Sequence, residues 1–219
     1  MYPLNGPHWS LFFEYIGNIV YALCIRRMST RSLAVTTAML GVAFAAFFMN
    51  DPAGYGNIGM GWTLDTQNVA GGMLRMMFSY TMGLLLSRTF KPWRNVRGAF
   101  WICTALVVTV TALPQLADTR HNCLYEVVSV MVVMPVIVVM AASGKTTDKR
   151  SEAVCRFLGD ISYPLYAIHY PSMYLFYHYI GFPETWRTPS ECWWLMLLLL
   201  VGNVALAYIV RRFYDVPVR

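Results

Sequence analysis

The amino-acid sequence predicts an all-α membrane protein, a polytopic helix bundle of about seven transmembrane helices. First, 57% of its 219 residues are hydrophobic and only 13% are charged, whereas about a quarter of the residues of soluble domains are charged. Second, the chain holds a series of apolar runs that approach the roughly 20 residues needed to cross a bilayer. Third, basic residues are concentrated in every second loop between these runs. Backbone groups in lipid must hydrogen-bond within their own segment, so we interpret the runs as helices.

Seven apolar runs are predicted to span the membrane as one transmembrane domain covering residues 1–219. In chain order the predicted helices are A at 9–25, B at 33–49, C at 69–86, D at 99–113, E at 124–142, F at 157–180 and G at 193–210. Helix F contains Pro164 and Pro171. No internal repeat and no separate soluble domain is visible. The predicted external segment at 50–68 is rich in Gly, Asn and Asp.

The positions of Lys and Arg predict the orientation of these helices, because cytoplasmic loops are enriched in both residues. The basic residues that follow helices A, C, E and G are Arg26, Arg27, Arg31, Arg88, Lys91, Arg94, Arg97, Lys145, Lys149, Arg150, Arg156, Arg211, Arg212 and Arg219. The other three are Arg75, Arg120 and Arg187. This alternation places the N-terminus outside the cytoplasm and the C-terminus inside.

The net charge of +6 therefore indicates membrane topology, and we expect the lipid bilayer as a partner and no nucleic acid. The five cysteines form no CxxC pair and have no metal-ligand spacing. Neither a metal site nor a disulfide framework is expected.

Ionisable residues inside predicted spans are the candidate functional groups, because charge in lipid is costly and usually faces a cavity or a partner. Glu14 in helix A is either a general base, or a partner that orients one, or a structural carboxylate paired with Arg75 or hydrogen-bonded to Asn18. His169 in helix F either lines a site or packs among tyrosines. Arg75 in helix C can reach the outer interface without any function. These residues alone predict a polar cavity between helices A, C and F, and no defined reaction.

Four ordered motifs resemble those of the acyltransferase 3 family, the O-antigen-acetylase-like membrane acyltransferases. The segment Trp-Ser-Leu-Phe-Phe-Glu at 9–14 is similar to the family's Trp-Ser-Leu-x-x-Glu segment. Residues 78–86 resemble a family helix that contains Phe and Gly-x-Leu-Leu. Residues 157–171, with Ser-Tyr-Pro-Leu-Tyr followed by His169 and Pro171, resemble another family segment. Residues 214–219 match the closing Glu-x-Pro-x-Arg pattern, with Asp215 in place of Glu.

The resemblance implies a membrane-bound O-acyltransferase of the bacterial inner (plasma) membrane. Its donor would be acyl-CoA, usually acetyl-CoA, and its acceptor a hydroxyl of a cell-surface carbohydrate; no metal is implied. We expect catalytic roles for Glu14 and His169. The residues expected to bind substrate are Asn5, Trp9, Ser10, Arg75, Ser162 and Tyr163.

The chain departs from the family pattern at its N-terminal side. Family members carry an essential His in a first helix and a later Arg-x-Arg motif, both before the Trp-Ser-Leu segment. Neither occurs in this sequence, and His8 does not substitute for the first. We therefore expect this chain to correspond to the last seven of ten helices. The alternative is a non-catalytic remnant or a membrane assembly or transport component. A conventional transporter lacks the expected internal repeat.

Overall fold

The computed structural model describes residues 6, 8–91, 96–113, 116–145, 148–181 and 189–218. The described chain is almost entirely helical, which confirms the all-α prediction. The α-helices are α1 His8–Leu23, α2 Thr30–Met49, α3 Thr66–Thr89, α4 Ala99–Ala112, α5 Thr119–Val128, α6 Met134–Ser143, α7 Lys149–Phe176, α8 Pro189–Val210 and α9 Val216–Val218. A 3₁₀ turn covers Ile25–Arg27, and π-helical turns cover Ser129–Val133, Tyr177–Gly181 and Arg211–Asp215. Two-residue strands β1 Val96–Arg97 and β2 Gly144–Lys145 pair in parallel.

Every one of the seven predicted helices coincides with a helix of the structure. Among the described residues, four helical stretches are long and apolar enough to cross a membrane: Thr30–Met49, Thr66–Thr89, Thr119–Ser143 and Trp193–Asp215. They correspond to predicted helices B, C, E and G. Helices α1 and α4, which correspond to A and D, have only 16 and 14 residues. Helix α7, which corresponds to F, begins with several charged residues. The described chain therefore provides four candidate spans instead of the seven predicted.

Polar side chains cap four helices, so these helices begin earlier than hydropathy predicts. The capping residues are Ser29, Asp65, Asp118 and Asp148. Asp148 accepts a hydrogen bond from the Ser151 N–H at 3.0 Å, which satisfies one of the unpaired donors of a helix start. Helix α7 consequently begins at Lys149, eight residues before the predicted start of helix F. Basic residues that we predicted in the loop before helix F lie in the first turns of α7.

The described residues form two compact units: the first contains residues 9–145, and the second contains Gly6, His8 and residues 148–218. In the first unit, a buried cluster joins α2, α3, α5 and the segment between α2 and α3: Phe44, Phe48, Met60, Phe78 and Val127. The rings of Phe44 and Phe78 stack with their centroids 5.5 Å apart. Met60 is fully buried, although it belongs to the predicted external segment. This segment therefore folds back into the helix bundle.

The second unit contains the hairpin of α7 and α8. Arg211, in the π-helical turn after α8, forms an ion pair with Asp160 of α7. Near the other end of the hairpin, the Ser172 hydroxyl donates a hydrogen bond to Asn203 Oδ1 at 2.6 Å. These two contacts fix the register of the helices. A single transmembrane domain over the whole chain stays a prediction.

Candidate functional site

Helix α1 presents two different faces along its length. Its buried residues are Trp9, Phe13 and Gly17, which recur every four residues and so lie on one side of the helix. Ser10, Glu14 and Asn18 follow each of them by one position and form an adjacent polar stripe. Glu14 itself is exposed within its unit. The sequence thus folds into a helix whose aromatic face packs inward while a carboxylate stands at its edge.

The polar stripe of α1 faces part of α3. A cleft of about 370 Å³ lies between them, lined by Trp9, Ser10, Glu14, Arg75, Met76, Ser79 and Tyr80. The Tyr80 hydroxyl closes one end by donating a hydrogen bond to Asn18 Oδ1 at 2.8 Å. The cleft combines a carboxylate, a guanidinium and hydroxyl groups beside an aromatic ring. Such groups bind a polyhydroxylated molecule and can hold or move a proton of a hydroxyl group.

The guanidinium of Arg75 has a defined position above Trp9. Its Cζ atom lies 4.1 Å from the centroid of the Trp9 ring, within the range of a cation–π interaction. Its Nη1 donates a hydrogen bond to the carbonyl of Ile58 at 2.6 Å. Among the ion pairs of the described residues, none joins Arg75 to Glu14. The alternative that Glu14 forms a salt bridge with Arg75 is therefore not supported.

The segment 50–65, between α2 and α3, contacts Arg75 and Trp9 of this cleft and is held by hydrogen bonds. The Asp51 carboxylate accepts hydrogen bonds from the Tyr55 and Gly56 N–H groups at 3.0 and 2.9 Å. From α5, Asn122 donates to the Gly56 carbonyl at 2.7 Å, and Glu126 Oε2 accepts the Ile58 N–H at 2.7 Å. Side chains of the segment itself and of α5 therefore satisfy hydrogen-bonding groups of its backbone.

Trp62, also in this segment, packs against Trp9. Its ring centroid is 6.1 Å from that of Trp9, and 42% of Trp62 is exposed, against 8% of Trp9. Gly61, next to it, donates its N–H to Asn68 Oδ1 at 3.2 Å. Trp9 is thus the buried and Trp62 the half-exposed member of an aromatic pair, and Arg75 lies over Trp9.

A second cleft of about 590 Å³ lies within the hairpin of α7 and α8. Its lining is mostly apolar, with Ser162, His169 and Asn203 as polar members. His169 Nδ1 lies 3.0 Å from the Leu165 carbonyl and 2.9 Å from the Tyr166 carbonyl. A carbonyl only accepts, so these contacts favour the tautomer with the proton on Nδ1 and a basic Nε2. Asn203 is held by the Ser172 hydroxyl and by the Leu199 carbonyl.

A comparison with protein families identifies the family of this chain. A family model described as an acyltransferase domain, Acyl_transf_3, matches residues 1–212. The chain belongs to the acyltransferase 3 family. No curated protein and no solved structure matches it. Together with its apolar helices, this membership makes the chain a protein of a membrane acyltransferase family.

The structure brings four of the predicted site residues of this acyltransferase-family chain into one cleft: Trp9, Ser10, Glu14 and Arg75. His169 and Ser162 line the cleft of the second unit. Tyr163, next to Ser162, is 57% exposed and is absent from the lining residues described for that cleft. Asn5 lies outside the described residues. The structure describes one cleft of α1 and α3 and another of α7 and α8. The polar cavity between helices A, C and F stays a prediction. No group of three or more metal-ligating side chains occurs within the described ranges.

Three residues near the clefts were missed by the sequence reasoning. Glu126 lies inside predicted helix E, so the rule that singled out Glu14 also applied to it. Trp62 lies in the predicted external segment and was not assigned to the site. Asn203 is a buried polar residue in the middle of the apolar helix G, and its position in the sequence was a sufficient signal.

Proposed function

We propose that this chain acts in a membrane-bound O-acyltransferase that moves an acetyl group from acetyl-CoA to a hydroxyl of a cell-surface carbohydrate. We place it in the bacterial inner membrane as a multi-pass protein, with the N-terminus outside and the C-terminus in the cytoplasm. The observation that carries the proposal is the cleft of Trp9, Ser10, Glu14 and Arg75 in a chain of the acyltransferase 3 family. Seven spans, a carbohydrate partner and the acetyl donor are parts of the same proposal.

The reaction joins the acceptor oxygen to the thioester carbonyl carbon and breaks the carbon–sulfur bond. The proton of the acceptor hydroxyl finally resides on the CoA thiol. A base near the hydroxyl assists this transfer, and such a base needs a partner that orients it. Glu14 supplies a carboxylate for holding the acceptor hydroxyl or for orienting that base. The half-exposed indole ring of Trp62 supplies an apolar face for a sugar ring. His169, with its basic Nε2, is a second candidate for a proton acceptor.

Transfer of radiolabelled acetyl groups tests the proposal. Membranes from cells that express the 219-residue chain are incubated with labelled acetyl-CoA, and label in the carbohydrate fraction is counted. A second preparation expresses the chain together with any in-frame coding sequence upstream of Met1. We expect acetylated carbohydrate in the second preparation and at least about a tenfold loss with Glu14→Gln, the low end of what a proton-transfer group contributes.

The matched control is Glu152→Gln. Glu152 is an exposed carboxylate paired with Arg156 at 3.2 Å in the first turns of α7, and its substitution should leave the label unchanged. Label in the 219-residue chain alone supports the function but contradicts the expectation that essential parts are missing from it. Label in neither preparation contradicts the proposal and favours the non-catalytic alternative.

A further inference from the structure

We infer that Glu126 is a positioning residue for the site on α1 and α3, acting through the backbone of Ile58 on Arg75. The inference rests on the proposed function, because it assigns Arg75 to the acceptor site. Glu126 lies on α5 and lines neither side of the α1–α3 cleft. Its connection to that cleft runs through two hydrogen bonds made by a single residue of the segment 50–65.

The first bond fixes the amide of Ile58. Glu126 Oε2 accepts the Ile58 N–H at 2.7 Å, at the short end of N–H···O hydrogen bonds. Asn122, one turn earlier on α5, approaches Glu126 Oε1 at 3.3 Å and donates to the Gly56 carbonyl at 2.7 Å. Two side chains of α5 thus hold the segment on both sides of Asn57.

The second bond fixes Arg75. The Ile58 carbonyl accepts from Arg75 Nη1 at 2.6 Å and also from the Met60 N–H at 2.8 Å. Met60 is fully buried in the core cluster, so this carbonyl is hydrogen-bonded to the backbone of a core residue as well as to Arg75. The guanidinium is therefore held above the Trp9 ring by a backbone acceptor whose own position depends on Glu126.

The charge of Glu126 has a cost that its contacts must offset. A partly buried carboxylate on a candidate membrane span is destabilising unless it is hydrogen-bonded. A neutral side chain at this position could also stabilise the segment 50–65 through one hydrogen bond. The carboxylate supplies two acceptor oxygens, one for Ile58 and one for Asn122, and so fixes the segment in two directions.

Hydrogen exchange tests this relay without any substrate. Amide exchange of a peptide covering 51–62 is measured by mass spectrometry in the wild type, Glu126→Ala, Arg75→Met and the double variant. We expect Glu126→Ala to raise the exchange rate about ten- to a hundredfold, the range that corresponds to losing a hydrogen bond to a charged acceptor. The two substitutions should be less than additive, because both release the same residue. Additive effects, or an unchanged rate in Glu126→Ala, would overturn the inference.

Conservative replacement and kinetics separate positioning from general stability. Glu126→Gln keeps one oxygen acceptor for the Ile58 N–H but loses the second acceptor for Asn122, and should restore the protection only in part. Glu152→Ala, the exposed control, should leave the peptide unchanged. Where acetyl transfer is found, Glu126→Ala should raise KM for the acceptor about tenfold with a smaller change in kcat, and should have no further effect in the Arg75→Met background. An equal loss in kcat with unchanged KM would contradict the role. Coupled exchange, together with no acetyl transfer in either membrane preparation, would refute the proposed function and still support the positioning of Arg75.

Discussion

Replacing Gly61 with Ala is a direct test of how the segment 50–65 packs against Trp9. Gly61 is buried and has φ +109°, in the region that side chains with a Cβ rarely adopt. A Cβ built at this position lies 2.7 Å from Cε3 of Trp9 and 3.1 Å from Cε2 of Phe13. Both rings are buried, so they cannot move aside into solvent. The substitution therefore introduces backbone strain and a steric clash together.

The two effects have separate magnitudes. A residue with a Cβ at positive φ costs roughly 1–2 kcal/mol, and inserting a methyl group into a packed core costs about 1–3 kcal/mol. We therefore expect Gly61→Ala to destabilise the protein by about 2–5 kcal/mol. Gly54→Ala is the matched control, because Gly54 has φ +69° in the same segment and nothing lies within 4 Å of its Cβ position. It should show the backbone strain alone.

The assay is thermal unfolding of the detergent-solubilised protein, followed by the fraction that stays monodisperse after heating. At about 2–4 °C per kcal/mol for a chain of this length, Gly61→Ala should melt about 2–12 °C below Gly54→Ala. Gly83→Ala, at an open helical position, should melt close to the wild type. If Gly61→Ala melts at or above Gly54→Ala, the segment does not pack against Trp9 as described.

Two further predictions concern the helix caps and the topology. Hydrogen bonds, first of all from Thr63, lower the pKa of Asp65 below its ordinary value of 3.8, and backbone hydrogen bonds do so for Asp118 and Asp148. Because these pKa values are lower in the folded state, the caps stabilise the protein fully above pH 3.8 and lose their effect as the pH falls through the lowered values. Asp65→Asn should therefore reduce the difference in melting temperature between neutral and strongly acidic pH; an unchanged difference would contradict the role of the carboxylate. Alkaline phosphatase, which is active only outside the cytoplasm, should be inactive when fused after Arg219 and active when fused after Leu64; the opposite result would refute the predicted orientation.

The helices could be predicted from the sequence because lipid leaves the backbone few alternatives. An apolar run must satisfy its own hydrogen bonds, so the positions of all seven helices followed from hydropathy alone. Their starts were less accurate, since hydropathy does not detect capping by Asp65 or Asp148. Those caps are local and could have been recognised from an Asp before a helical run. The count of spans depended on the short α1 and α4 and on α7, whose tyrosines, prolines and His169 lower its mean hydropathy.

The site was predictable in part, and the difference between Glu14 and Glu126 shows why. Both are carboxylates inside predicted helices, but Glu14 belongs to a sequence motif with Trp9 and Ser10 in the first two turns of one helix. The partner of Glu126 is a backbone N–H 68 residues earlier in the sequence. Every residue except proline carries such a donor, so the residue type at position 58 does not indicate that its N–H binds Glu126. A side chain that orders a distant backbone segment can therefore be recognised in the sequence only by the cost of placing its charge in an apolar helix. That reasoning makes Glu126, and not only Glu14, a residue whose substitution should affect the site of Arg75 and Trp9.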